Sequence, residues 1–536
     1  MTHLIRSTSI LMVAFFINKL LAVGRQIIIA PTFGTGREFD AFVAAFRLPD
    51  ILYMMISGGA LATAFIPVLS ERLTISPAHD PHGWRLVSAV VNNMLLVALT
   101  VSLVVMIFAD PIVTYIIASG FDPATQQLTV SMMRLVLIST TIFSISGLVG
   151  AVLNTHNHFV LPALAPIIYN LGIIGGALFL VEQFGVYGLI WGTIAGALGH
   201  LLIQLPGLAY FVWRNQSGGQ SPSGPVPFTL GWHDPSLFEI IRLMGPRIVT
   251  IFVIQLNFII MFNLASYLNE GSVSALDYGW DLMQMPQTII GTAIGIVLFP
   301  TMSTLAARQD WVGLWQTTAQ AMRVMLTLSI PAMVGLIALG RPIIKLMFER
   351  GEFDAASTAL VYYALMFWSI ALVAHCLMEV VNRFFYAQKD TITPLISSVL
   401  SMLLNLGLAY LLYQPLGVGG LALSNGVAVS LEILFLLTII RFRQTTRVEP
   451  VETITHRQLG PINMTPLLKV LGQTLLAAGI MGVVVSLSFN HLNQLSLIWN
   501  ISLSGLLGML IYGLVGLAIG IDEIRVLPRL VKRENI

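Results

Sequence analysis

The residues that could do chemistry in this chain of 536 residues are ionisable groups set inside long apolar stretches. Lys19 and Arg25 lie six apart in the first stretch, and Asp40, Arg47 and Asp50 follow in the second. Arg134, Asp277, Asp281, Glu379, Arg383 and Glu432 are spread through the later ones. A charge near the middle of a bilayer costs roughly 3 kcal/mol or more unless it faces water or a partner, so each of these marks a cavity or a pairing. Basic groups on the first two stretches that face an internal cavity suit an anionic cargo such as a pyrophosphate. The same residues have a structural alternative: Lys19 snorkels to the interface, and Arg47 pairs with Asp40 or Asp50 to hold helices together. Arg134 and Glu432 sit nearer helix ends, where the structural role is the stronger expectation.

Other chemistries lack their residues. No Gly-x4-Gly-Lys-Ser/Thr loop occurs, nor a polar stretch long enough for a nucleotide-binding domain, which argues against ATP hydrolysis. There is no His-Glu-x-x-His motif, and His156, His158 and His200 read as loop or interface residues. Cys376 is the single cysteine and lies in an apolar run, where a buried inert thiol is expected. The expectation is therefore a transporter and not an enzyme, with no cofactor and no nucleic-acid partner. If cargo moves uphill, an ion gradient or the membrane potential must supply the work. Na+ or H+ is the candidate coupling cation, with no site assigned.

The elements that must position these groups are membrane helices. With 56% hydrophobic and 10% charged residues the chain cannot cover a water-soluble surface. Its apolar runs approach or exceed the roughly 20 residues that span a bilayer as helix, and they do not alternate as barrel strands would. Cutting at polar and Gly/Pro-rich junctions predicts about fourteen helices, near 8–30, 39–71, 85–109, 125–153, 159–182, 186–213, 236–267, 273–305, 311–339, 355–386, 393–413, 417–441, 466–489 and 497–520. The first carries Lys19 and Arg25 and lacks a small-residue cleavage site, so it reads as a membrane helix and not a signal peptide.

Arg72, Arg85, Arg214, Arg242, Arg308, Lys389, the 441–457 linker and the basic 522–536 tail fall on one side. By the positive-inside rule that side is the cytoplasm, with both termini on it. Arg341, Lys345 and Arg350 are discordant; an amphipathic element on the far side would account for them.

Two polar linkers, 215–235 and 443–464, divide the chain into an N-lobe (1–214), a C-lobe (236–442) and a final helix pair (465–521). The two lobes are repeats. Gly185-Val186-Tyr187-Gly188-Leu189 returns as Gly417-Val418-Gly419-Gly420-Leu421, Gly120-Phe121-Asp122 near Gly351-Glu352-Phe353-Asp354, and Asn170-Leu171-Gly172 as Asn405-Leu406-Gly407. Phe65-Ile66-Pro67 likewise matches Leu298-Phe299-Pro300, and all four offsets fall between 231 and 235 residues. Six helices per copy give both the same membrane orientation, related by a pseudo-twofold along the membrane normal. Two such bundles enclose a central cavity that rocking opens to either side in turn. Pro49 with Gly58 and Gly59, and Pro286 with Gly291, interrupt corresponding helices and are the expected hinges.

Gly24-Arg25 and Phe33-Gly34, leading into Asp40-Ala41-Phe42, Phe46-Arg47-Leu48-Pro49 and Phe65-Ile66-Pro67, resemble the opening of the MurJ/MviN flippases. The likeness continues through Met244-Gly245-Pro246, Gly271-Ser272-Val273-Ser274, Gln284-Met285-Pro286, Phe348-Glu349-Arg350-Gly351 and Phe385-Tyr386-Ala387-Gln388-Lys389-Asp390, over nearly the whole chain. It implies a member of the multidrug/oligosaccharidyl-lipid/polysaccharide exporter superfamily in the bacterial inner membrane. Such a protein flips lipid II, the undecaprenyl-pyrophosphate-linked peptidoglycan precursor, by alternating access. It also implies a cationic cavity, a groove for the lipid tail beside the last helix pair, membrane lipids and cell-wall synthesis machinery as partners, and a monomer.

Carried across residue by residue, Arg25, Asp40 and Arg47 match charged positions, Lys19 stands where arginine is usual, and Ser274 matches a cavity serine. Tyr53-Met54 replaces an arginine pair, and Asp281 stands where helix eight carries an arginine, with Asp277 one turn earlier. Export of another lipid-linked saccharide or an organic cation, and a non-transporting scaffold role in cell-wall synthesis, stay open beside the lipid II reading.

Overall fold

The computed structural model describes residues 2–56, 81–155, 158–210, 229–232, 234–446 and 464–525. Within them the chain is helical, without strands: α1 (Thr2–Phe33), α2 (Arg37–Ile56), α3 (Pro81–Ile107), α4 (Pro123–Thr155), α5 (Val160–Phe184), α6 (Tyr187–Tyr210) and α7 (Pro235–Ala265). There follow α8 (Ser272–Ala307), α9 (Trp311–Phe348), α10 (Ala355–Ala387), α11 (Ile392–Thr446), α12 (Thr465–His491) and α13 (Leu497–Ile519).

Eleven of the described helices are long and apolar enough to cross a membrane. One of these, α11, is two rods that meet at Gly417, whose φ of 53° and ψ of −136° are not helical. The expected count of fourteen is not reached among the described residues. Helix nine does not stop near residue 339: α9 runs on unbroken to Phe348, so Arg341 and Lys345 ride on its last turns, with Lys345 paired to Glu349 at 3.4 Å.

Helix ends are fixed by aspartates. Asp234 accepts from the Ser236 amide, Asp310 from Gly313, Asp354 from Ser357 and Asp390 from Thr393, each at 2.8 to 3.0 Å. A side-chain oxygen at that position satisfies one of the four amide groups a helix start leaves without a partner.

Packing divides the described chain into two compact units, Met1–Val273 with Arg350–Phe353, and Ser274–Glu349 with Asp354–Ile536. In unit one, α5 and α6 approach closely through glycines. A Cβ at Gly192 would sit 2.7 Å from the Cα of Gly176, and one at Gly172 would run into Gly196. In the absence of a hydrophobic drive inside lipid, such small-residue seams let backbones gain dispersion contact. A core of Leu52, Leu86, Val90, Leu137, Leu148 and Ile240 joins α2, α3, α4 and α7. Of the first polar linker, the described Thr229–Trp232 stretch lies on α3: Asn92 and Asn93 donate to the Thr229 and Leu230 carbonyls at 2.9 and 2.6 Å.

In unit two, α10 packs on α9 and α11, and α12 with α13 packs on α9 around Leu326, Ile330, Ala477, Met481 and Tyr512. The Tyr512 hydroxyl donates to the Thr327 carbonyl at 2.7 Å, and Arg323 pairs with Glu523 at 3.3 Å. The repeat recognised in the sequence has the same backbone in each copy at one diagnostic place. Gly185 has φ 56° and ψ −140°, and Gly417 has φ 53° and ψ −136°, a conformation open in practice only to glycine.

Candidate functional site

In unit one, α1 carries Lys19 and Arg25 on successive turns of an otherwise apolar rod. Six residues separate them by about 9 Å along the axis and roughly 120° around it, so they are not on one face. Lys19 is exposed and Arg25 half-buried, and among the described residues neither has a carboxylate partner. Arg25 lies seven residues after Asn18, hence on the same face, and Asn18 accepts from Asn170 of α5 at 2.9 Å. That face is the one turned to Tyr169, which lies within electrostatic reach of Arg25, Asp50 and Tyr53.

Three other described basic groups have carboxylate partners. Arg134 reaches Asp110 at 2.5 Å, Arg443 reaches Asp390 at 2.6 Å, and Arg383 is bound to Glu379 one turn earlier. An ion pair inside a membrane cancels most of its own desolvation cost, whereas an unpaired cation holds that cost in reserve for an anion that arrives later.

Tyr53 belongs to an aromatic cluster. Its ring lies 5.2 Å from that of Phe143, which in turn meets Tyr169 at 4.7 Å and His200 at 5.1 Å. His200 is tied to Ser146 at 2.7 Å, so it is an interface residue between α4 and α6, as its sequence context suggests. Tyr53 thus joins α2 to α4 through an aromatic contact.

Three residues assigned to cargo contact are committed elsewhere in this conformation. Arg47 lays its guanidinium over the ring of Phe262 on α7, 3.5 Å from the centroid, a cation–π contact that joins α2 to α7. Asp40 is 3% exposed and accepts from the Gly271 amide at 2.7 Å. Ser274 is fully buried at the start of α8. Asp277 and Asp281, on the same helix, are half-buried.

Asp40 belongs to a polar clasp that is not among the expected features. The Arg37 amide donates to Glu270 at 2.8 Å, and its side chain reaches Thr125 at 2.5 Å and Asp122 at 3.3 Å. The Gly120 amide donates to Ser266 at 2.9 Å, Asn263 donates to Ser119 at 2.7 Å, and the Glu352 amide donates to the Pro31 carbonyl at 2.8 Å. Four turns, at 34–37, 118–122, 266–271 and 350–353, are therefore stitched together at one end of unit one. Gly34, Gly271 and Gly351 all have positive φ there, and a Cβ on any of them would run into the neighbouring turn's backbone. The available signal was the repeated Gly120-Phe121-Asp122 and Gly351-Glu352-Phe353-Asp354 motif, which marks two of the four turns.

Of the expected hinges, Pro49 is carried within α2, which stays helical through it, and Gly58 and Gly59 lie outside the described residues. Pro286 is followed at once by a widened π-helical turn, Thr288–Thr292, that contains Gly291. The helix ladder is thus irregular there, though the carbonyl left without a partner by Pro286 lies one turn before the π-turn.

The family model described as "Lipid II flippase MurJ" matches residues 29–503. The lipid II flippase MurJ of Burkholderia cenocepacia is 32% identical over 432 residues, covering 80% of this chain and 82% of that protein. A probable lipid II flippase MurJ of Vibrio cholerae is 28% identical over 446 residues, covering 81% and 82%. Among solved structures, a lipid II flippase MurJ in an inward closed conformation superposes with a TM-score of 0.75 at 24% identity, covering 96% of this chain and 99% of that one. An inward-facing multidrug resistance transporter of the MATE family superposes at 0.65 with 17% identity, covering 80% and 96%, which shows a shared fold.

Proposed function

The chain belongs to the lipid II flippase MurJ family, and from that membership we propose that Lys19 and Arg25 hold the pyrophosphate of lipid II while the lipid passes from the cytoplasmic to the periplasmic leaflet. The protein is a multi-pass inner-membrane transporter that works by alternating access and serves peptidoglycan synthesis; it is not an enzyme. The observation that carries the assignment is the place of two cations, without a carboxylate partner among the described residues, inside one apolar helix. Arg134, Arg383 and Arg443 each have a carboxylate, and Lys19 and Arg25, on one apolar helix, have none among the described residues.

Arg25 acts from a half-buried position where water screens it poorly, so a charge-assisted contact there is worth more than one at the surface. Its planar fork suits two phosphate oxygens at once, and Lys19 adds a flexible point charge from the adjoining face. Tyr169 stands beside Arg25 as a hydroxyl that can donate to a third oxygen. The prenyl tail stays in lipid, so only the headgroup needs polar surroundings.

The work comes from the membrane potential or an ion gradient. Each negative charge carried outward across an inside-negative membrane releases about 2.3 kcal/mol per 100 mV, and the emptied cationic site is drawn back by the same field. A Na+ or H+ gradient would add to this. We infer that both termini lie in the cytoplasm, since the basic 441–457 and 522–536 segments sit on one side by the positive-inside rule.

The test is complementation of a bacterium depleted of its own lipid II flippase, read with the accessibility of newly made lipid II at the outer leaflet. Rescue with restored accessibility supports the reading. A well-expressed, inserted protein that leaves lipid II inaccessible in a host permissive for Burkholderia relatives overturns it.

A further inference from the structure

Glu432 is the one charged residue between Asp390 and Arg441, a stretch that α11 folds into two rods, 392–416 and 418–446, meeting at Gly417. Its side chain closes the seam between the rods. It is 9% exposed, and its Oε1 lies 3.0 Å from the Ser397 hydroxyl and 2.9 Å from that of Ser398, with Ser401 bonded to the same carboxyl. A structural role was expected for Glu432 as for Arg134, but where Arg134 has its carboxylate, Glu432 has no cation among the described residues.

The helix that packs on α11 does not supply one. On α10, Glu379 and Arg383 are paired with each other and turned to α8, at Thr292 and Gly295. Cys376 faces Gly291 of that same helix. His375 does meet the second rod, but at Asn425, two turns or about 10 Å before Glu432. At the free ends of the rods, Arg443 is held by Asp390 and Thr393. A carboxylate ion in this seam would keep its desolvation cost with nothing to offset it.

The hydrogen-bond count points the same way. A serine hydroxyl has one proton to give. That of Ser397 goes to the Pro394 carbonyl at 2.8 Å, a local backbone bond that serines commonly make in helices. Ser397 Oγ and Glu432 Oε1 are nonetheless at hydrogen-bond distance, with no proton left to lie between them. The contact closes when the carboxyl itself brings the proton and donates it to Ser397, while Ser398 donates to the carboxyl. A metal ion would need several oxygens turned to one centre, and here the hydroxyls are bonded to oxygens of the seam itself.

We propose that Glu432 is a proton-binding site of the transport cycle, loaded and emptied at the seam between the two rods of α11; this rests on the lipid II transporter reading above. In this conformation the Glu432 O–H bond is formed. On release that bond breaks, its electron pair stays on the carboxylate, and the proton passes to water at the end that the positive-inside rule places in the cytoplasm. The path is short, since Ser397 lies one turn, about 6 Å, from the polar helix start at Thr393. The carboxylate left behind draws in water, and the rods part about Gly417, where nothing lies within 4 Å of an added Cβ. Reloading from the periplasmic side in the other conformation closes the seam again, so an inward proton gradient turns the cycle.

The experiment has two arms on the full chain in lipid vesicles. Infrared difference spectra at neutral pH should show the carbonyl stretch of a protonated buried carboxyl, missing in Glu432→Gln, lost reversibly in alkali and indifferent to Na+. With the membrane potential clamped at zero, an about tenfold proton gradient, acid on the periplasmic face, should speed lipid II movement by about threefold or more in the parent. Glu432→Gln should show no response to the gradient. If that variant fails to insert, Ser397→Ala, which removes the proton's acceptor, should shift the carboxyl band and weaken the response to the gradient. The same spectrum in parent and Glu432→Gln overturns the site, and a band displaced by Na+ replaces it with a metal-ion site. A band present without any effect of the gradient on the parent overturns the coupling and leaves the proton a structural one. Absence of lipid II movement under every gradient overturns the lipid II reading, while the infrared band still decides for or against the proton.

Discussion

The Asp40 carboxylate accepts the backbone amide of Gly271 at 2.7 Å across 231 residues of chain, in a setting where the acid is 3% exposed. The offset equals that of the internal repeat, so the bond links the start of one copy's second helix to the turn before the matching helix of the other. Asp40 therefore acts as a latch in this conformation, and any contact with cargo would have to follow release of Gly271. Asp40→Ala should leave a buried amide with no acceptor and destabilise this state by about 1 to 3 kcal/mol. Asp40→Asn keeps a neutral oxygen and should lose less. Thermal unfolding of the purified protein separates the two, and equal losses would show that charge, not the bond to Gly271, is what matters at position 40.

Glycine positions in the clasp and in the repeat turns should respond differently to the same change. Gly351 and Gly417 share a positive φ, 56° and 53°, so alanine strains either by roughly 1 to 3 kcal/mol. At Gly351 the added methyl also runs into the Pro31 carbonyl, whereas at Gly417 nothing lies within 4 Å. Gly351→Ala should therefore abolish folded protein in detergent or cost several times what Gly417→Ala costs. Similar melting temperatures for the two variants would contradict the clasp geometry.

Helix existence was legible because membrane helices announce themselves by length and apolarity, and Pro286 with Gly291 announced a break that the π-turn at 288–292 realises. The repeat was legible for a sharper reason: Gly185 and Gly417 hold a backbone shape that residues other than glycine avoid. The site was legible only in part. Lys19 and Arg25 stand out because a charge in an apolar run must be accounted for. Arg47 looked the same by that criterion, yet its account is the ring of Phe262, 215 residues away, and no periodicity encodes such a partner. The clasp at Arg37, Asp122 and Glu270 was hidden because polar residues in short turns read as ordinary loop.

Acid should loosen the start of α11. At Asp390 burial raises the carboxyl's pKa, but the hydrogen bonds from Thr393 and the Arg443 guanidinium outweigh it and leave the group below its ordinary 3.8. A carboxyl depressed in the folded state adds stability that is complete above its unfolded pKa and disappears as the pH falls through the folded value. The tie between Asp390 and Arg443 should thus hold at neutral pH and fail only below about 4. Asp390→Asn should remove the tie at every pH and flatten that part of the stability profile below pH 5, measured by thermal unfolding between pH 3 and 7. An unchanged profile would assign the acid sensitivity to Asp122 and Asp354, whose carboxyls are likewise held low by their capping bonds.

Lys19 and Arg25 should be needed for transport and not for folding. Because neither has a carboxylate partner among the described residues, truncating them breaks no ion pair, and α1 remains apolar enough to insert without them. Lys19→Ala and Arg25→Ala should each lower the rate of lipid II translocation by about tenfold or more, the worth of one charge-assisted contact, while melting temperature and expression stay near those of the parent. Arg25→Lys should recover only part of the loss, since a point charge cannot grip two phosphate oxygens as a guanidinium does. The readout is outer-leaflet lipid II in depleted cells, normalised to inserted protein. Full activity in both alanine variants would remove the cationic site from the mechanism and shift attention to Arg47, freed from Phe262 in another conformation.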